Sequence, residues 1–147
     1  MYEKEIYDLN RLILHHESII EAYSRMLPDV EDEDLKSRLR SNQENHFRQM
    51  MVLSDRVYEL GGIPKFETGV PGVMDDIRHH RGKKAEMTDL ENARAALDTE
   101  KVNIDRLSAF GSGDIDNTSL ELIQMGINSN SDNVHSLEEY ISHKELQ

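Results

Sequence analysis

Apolar side chains recur at alternating steps of three and four residues in four separate blocks of the chain, and no stretch alternates apolar with polar for long enough to make a strand. That spacing gathers one apolar stripe on one face of a helix, so the pattern predicts an all-α protein. The first stripe runs through Ile6, Leu9, Ile13, His16, Ile20, Tyr23 and Leu27, and Pro28 stops it, giving a helix over about 4–27. The second carries Leu35, Leu39, Asn42, His46, Gln49 with Met50, Leu53, Val57 and Leu60. It starts in the acidic run Glu31-Asp32-Glu33-Asp34, which suits the positive end of a helix dipole, and ends at Gly61-Gly62 ahead of Pro64, a helix over about 32–60. Thr88-Asp89-Leu90-Glu91 and Thr118-Ser119-Leu120-Glu121 both read as capping boxes, in which hydroxyl and carboxylate satisfy free backbone donors reciprocally. They open helices over about 88–110 and 118–143. Their stripes are Leu90, Ala93, Leu97, Glu100, Ile104, Leu107 and then Leu120, Ile123, Ile127, Asn130, Val134, Leu137, Ile141.

Short links at 28–31 and at Gly111-Ser112-Gly113-Asp114 make each pair of helices an expected antiparallel hairpin. Residues 63–87 separate the hairpins. A helix of about 24 residues is about 36 Å long, and a segment of that length can cross it. The expected architecture for residues 1–147 is therefore a single-domain, antiparallel four-helix bundle in which a long crossover leaves helices two and three parallel.

Projected onto helical wheels, four polar residues interrupt the apolar stripes: His16, His46, Glu100 and Asn130, each near the middle of its helix. Mid-helix positions in a bundle of near-equal helices meet at one level. Asn42 and Gln49 flank His46 by one turn, and Glu17 lies at the edge of the first stripe. An inward Glu100 needs a partner, because an uncompensated buried carboxylate is expensive. Two arrangements provide one. Either Glu100 pairs with a protonated His16 or His46 while Asn42, Gln49 and Asn130 complete a hydrogen-bond network. Or His16, Glu17, His46 and Glu100 bind a divalent ion (iron, manganese or zinc) through two imidazoles and one or two carboxylates.

Composition narrows the chemistry further. With no cysteine, disulfides, iron–sulfur clusters and thiol nucleophiles are excluded. A formal net charge of -12 repels phosphate backbones and anionic surfaces, which argues against nucleic-acid and membrane partners. No apolar run approaches the roughly 20 residues of a membrane helix, and the first residues do not form a secretory leader, so a cytoplasmic location is expected.

Leu9-Asn10-Arg11-Leu12-Ile13, Leu35-Lys36-Ser37-Arg38-Leu39 and, above all, Leu53-Ser54-Asp55-Arg56-Val57-Tyr58-Glu59-Leu60-Gly61-Gly62-Ile63-Pro64 resemble corresponding segments of the ferritin-like superfamily. The likeness is to its small bacterial members related to bacterioferritin and rubrerythrin, and it spans about 6–141. The resemblance implies a ferritin-like bundle with a di-iron or di-manganese carboxylate site, used for ferrous oxidation, peroxide chemistry or iron storage. Such a site takes a Glu from each of two helices and Glu-x-x-His from each of the other two. Here no glutamate is followed by histidine three residues on. His46 is followed by Gln49, a neutral amide, at that spacing. Asp132-x-x-His135 has the right spacing in helix four, but the wheel points Asp132 outward; a bulge in the polar run 128–133 would turn it inward and restore a ligand. The missing motif argues against oxidase turnover. Expected functions, in order, are a non-enzymatic metal binder, a metal-free structural or interaction bundle with a buried polar network, and a di-metal oxidase or iron-handling protein.

Two further features concern surfaces. Leu122, Met125 and Tyr140 with Phe47, Met51 and Tyr58 form a second apolar edge, which predicts either a homo-oligomer, a dimer foremost, or cover by the crossover segment. In the crossover, Asp76 and His80 share i, i+4 spacing beside the basic residues Arg78, Arg81, Lys83 and Lys84.

Overall fold

The computed structural model describes residues 1–67, 87–111 and 113–147. Among them run four long helices: α1 (Glu3–Met26), α2 (Glu33–Glu59), α3 (Asp89–Gly111) and α4 (Asn117–Glu145). A single 3-10 turn, Leu27–Asp29, follows α1, with Pro28 where a missing N–H costs nothing. The all-α expectation holds, with every helix end within two residues of its predicted place. No described helix is long and apolar enough to cross a membrane. Asp76, His80 and the basic residues around them lie outside the described residues.

Local signals set the ends. Asp32 caps α2 by accepting the Asp34 N–H. At the far end Gly61, with φ of 88°, permits the two reversed bonds that close the helix, Gly61 N–H to Tyr58 O and Gly62 N–H to Val57 O. Thr88 and Glu91 form the predicted capping box, each backbone N–H bonded to the other's side chain at 3.1 Å. The second predicted box does not form. Asp116 caps α4 instead, accepting the Ser119 N–H, because its other oxygen also takes the Arg56 guanidinium at 2.6 Å. An ion pair thus decides which of two good caps is used.

The helices pack on one another through named contacts. Gln43 of α2 donates to the Ile20 carbonyl of α1. Arg94 of α3 reaches Glu145 of α4. Arg38 bonds the Ser136 carbonyl, and Arg56 bonds Ser119 and Asp116, so α2 is tied to α4 at two levels. Asn10 of α1 holds the chain leaving α2, donating to Ile63 O and accepting the Lys65 N–H.

The apolar core is not continuous. One cluster gathers Ile19, Tyr23, Leu35, Leu39, Leu137 and Tyr140, and a second gathers Leu9, Ile13, Leu53, Val57, Leu107 and Ile123. Between them in sequence register, on every helix, sit the buried polar residues His16, His46, Glu100, Asn103, Asn130 and Asn133. Tyr140, expected on the outer edge, is instead buried, with its hydroxyl bonded to Asp32. Phe47, Met51, Tyr58 and Met125 are exposed, as expected for that edge, whereas Leu122 is only partly so.

Candidate functional site

Glu100, on α3, is fully buried, and its carboxylate accepts from three neighbouring helices. Oε1 takes the Tyr23 hydroxyl of α1 at 2.5 Å and Nε2 of His46 of α2 at 2.7 Å. Oε2 takes the side-chain amides of Asn130 and Asn133 of α4 at 2.6 and 3.3 Å. Four donors saturate the carboxylate, replacing the water it lost on burial. Around this hub the donors are themselves held. Asn42 donates to the Tyr23 hydroxyl, Asn103 to Asn130 Oδ1, and Asn45 to Asn133 Oδ1. Burial, with the Glu100 charge beside it, pushes the Tyr23 phenol well above its usual range, so it stays protonated and keeps donating.

His16 extends the chain. Its Nδ1 lies 2.9 Å from Nδ1 of His46, making a sequence of hydrogen bonds from Glu100 through His46 to His16. Burial and then the adjacent His46 and His15 push the His16 imidazole down to about 3, so it is neutral at ordinary pH. With Glu100 accepting, His46 carries a proton on Nε2. If its Nδ1 is bare, it accepts the His16 Nδ1 proton and leaves a lone pair on His16 Nε2; if its Nδ1 is protonated, the His16 Nε2 carries the proton instead. In both arrangements Nε2 ends the chain, and it has no hydrogen-bond partner among the described residues.

The expected site residues separate into three groups. His16, His46, Glu100, Asn42 and Asn130 come together as the wheels predict. Glu17 is buried, but its Oε1 accepts the Glu67 N–H at 2.8 Å, where the chain leaves α2. Gln49 lines a neighbouring cavity and makes no bond to the cluster. Asp132 and His135 are exposed, because α4 runs through 128–133 as unbroken α-helix and no bulge turns Asp132 inward. Sequence reasoning missed Tyr23, Asn103 and Asn133. Each had a signal: Asn103 and Asn133 stand three residues after Glu100 and Asn130, hence on the same face. Tyr23 was counted as apolar stripe, although a buried tyrosine must place its hydroxyl.

For a divalent ion, the donor set offers little. Both Glu100 oxygens and Asn130 Oδ1 are engaged by N–H or O–H donors, which leaves the two imidazole Nδ1 atoms, facing each other, with His16 Nε2 on the far side of its ring and the neutral Asn103 Oδ1. Among the described residues no group of three or more His, Cys, Asp or Glu is arranged to hold a metal ion. Compared with known proteins, the chain matches no family model, no curated protein and no solved structure.

Proposed function

We propose that this chain is an antiparallel, ferritin-like four-helix bundle that acts as a non-enzymatic interaction protein, its mid-height layer a hydrogen-bond network that fixes helix register in place of a di-metal centre. The saturation of Glu100 by donors from α1, α2 and α4 carries this reading, since one side chain sets the relative height of four helices. The ferritin-like arrangement is supported by the order of contacts. The pairs His16 with His46 and Ile20 with Gln43 run in opposite chain senses, as do Asn103 with Asn130 and Arg94 with Glu145. Contacts of α2 with α4 at Arg56–Ser119 and Arg38–Ser136 also run in opposite chain senses, which supports a parallel α2 and α3. Exposed Phe47, Met51, Tyr58 and Met125 on α2 and α4 support association with a second copy.

A divalent ion, iron, manganese or zinc, is the second candidate, and one observation favours it. The two Nδ1 atoms are 2.9 Å apart, and Glu100 holds His46 from behind as a carboxylate holds a metal-binding imidazole. Elemental analysis of protein purified without chelator separates the two. The network predicts substoichiometric metal and a Tm indifferent to chelator. One equivalent per chain, lost in a folded His46→Ala variant, would overturn it in favour of the ion.

A further inference from the structure

His16 faces two environments. On its Nδ1 side is the network; its ring also lines a cavity of about 240 Å³ that opens between α2 and α4. Buried Leu53, Leu107 and Ile123 supply the apolar wall, and the more exposed Val52 and Met125 form the mouth. The volume lies above the roughly 150 Å³ that holds benzene in an engineered core and below that of drug-sized pockets, so the space suits a small molecule.

Two residues lining this space carry buried polar groups with no hydrogen-bond partner among the described residues. One group is Nε2 of His16, a residue only 1% exposed; the other is the Gln49 carboxamide, whose nitrogen and oxygen are both buried and unbonded. Gly126 helps create this arrangement. A Cβ there would lie 3.1 Å from Gln49 Oε1 and 3.6 Å from Leu107 Cδ1, so the absent side chain gives the carboxamide its room. Buried polar groups left unpaired weaken a fold, and two at one cavity define what would complete them.

The required group must pair with an imidazole nitrogen that presents a lone pair or an N–H, depending on where the His46 proton sits. It must also pair with an amide that both donates and accepts. A hydroxyl does all of this, because its proton rotates to suit and its oxygen accepts. A charged group is disfavoured: Arg48, the one formally charged lining residue, is exposed and paired with Glu44, leaving no buried counter-ion. We propose that this cavity binds a small uncharged molecule with an apolar body and one hydroxyl, as in a phenol or a short branched alcohol, with the hydroxyl meeting His16 Nε2 and the Gln49 carboxamide and the body lying against Leu53, Leu107 and Ile123.

Phenol and its near-isostere toluene test this, in the presence of chelator so that no metal on the imidazoles supplies a signal. Histidine side-chain nitrogen NMR follows His16 Nε2 directly. Phenol is expected to bind at one saturable site and move that resonance, with toluene at least about tenfold weaker because it leaves the polar pair unmet. Gln49→Leu should remove most of that preference. Val52→Trp, a change at the exposed mouth that spares the core, should weaken phenol by a similar factor. Failure of phenol to perturb His16 in folded protein, toluene binding as tightly as phenol, or undiminished binding in both variants would each overturn the proposal.

Discussion

Toward residues 27–32 both core tyrosines end on carboxylates and one buried amide nitrogen, Asn92 Nδ2, has no partner among the described residues, whereas on the other side of the layer the unpartnered groups, on His16 and Gln49, belong to residues lining one cavity. Tyr23 and Tyr140, both about 2% exposed, end on the carboxylates of Glu100 and Asp32. The same end is laced by Asp89, whose two oxygens accept the Glu31 and Asp32 backbone N–H groups, and by Lys144 on Asp32. In the other half Gly126 stands where α4 passes Gln49, and the cavity meets an unbonded imidazole nitrogen and an unbonded carboxamide. The two halves thus differ in where unmet valence lies: only in the second do the unpartnered groups found among the described residues gather at one cavity. Glu100 is the boundary, and the contrast depends on it.

Removing that boundary should have the largest effect. Glu100→Ala strands four donors in a dry interior, and breaking a buried charged hub of this sort costs about 3–5 kcal/mol, a large part of the stability of an ordinary domain. Urea denaturation at neutral pH measures it. A loss below about 1 kcal/mol would show that the two halves hold together by apolar packing alone.

How much of this contrast could be read from the chain depends on what each residue's signal was. The helices were legible because period, proline and glycine stops and acidic starts agreed, as at Pro28 and Gly61. His16, His46, Glu100 and Asn130 were legible as polar breaks in apolar stripes. The α4 cap was not, since choosing Asp116 over Thr118 depends on Arg56, distant in sequence. Gln49 illustrates a subtler limit. Its wheel position is inward, but helix packing, not periodicity, decides whether an inward side chain meets a partner or a void. Glu17 was read as a ligand at the stripe's edge, and it is drawn instead to the backbone of Glu67, a contact no periodicity encodes.

The half with open valence should also respond to pH. His16 titrates near 6.5 when unfolded but is pushed down to about 3 in the fold, by burial first and His46 second. As pH falls through 6.5 the unfolded chain binds a proton that the folded chain refuses until about 3, so stability declines across that window, by up to roughly 1 kcal/mol per unit from this group. Urea midpoints between pH 7.5 and 5 check the slope. His16→Phe should flatten it while leaving the contribution of the surface carboxylates in place. An unchanged slope would mean that this ring is as free to protonate in the fold as in the open chain.

The smallest effects carry the comparison most directly, because they should differ in sign. Tyr140→Phe removes a hydroxyl that donates to Asp32 at 2.9 Å and should cost about 1 kcal/mol, the usual worth of one such bond at a partly exposed acceptor. Gln49→Leu has nearly the same volume, but it deletes a buried carboxamide that bonds to no described residue and adds apolar surface in the cavity lined by Leu53 and Leu107. It should therefore stabilise the fold, by about 1 kcal/mol, since an unpaired polar group is replaced by one with no such need. Thermal melts of the two single variants and the double, at one pH, compare them. Their effects should add, because Tyr140 belongs to one apolar cluster while Gln49 lines a cavity walled by Leu53, Leu107 and Ile123 of the other, and the two share no partner among the described residues. If Gln49→Leu destabilises as Tyr140→Phe does, the carboxamide is satisfied by water in solution, and the second half of the core is as closed as the first.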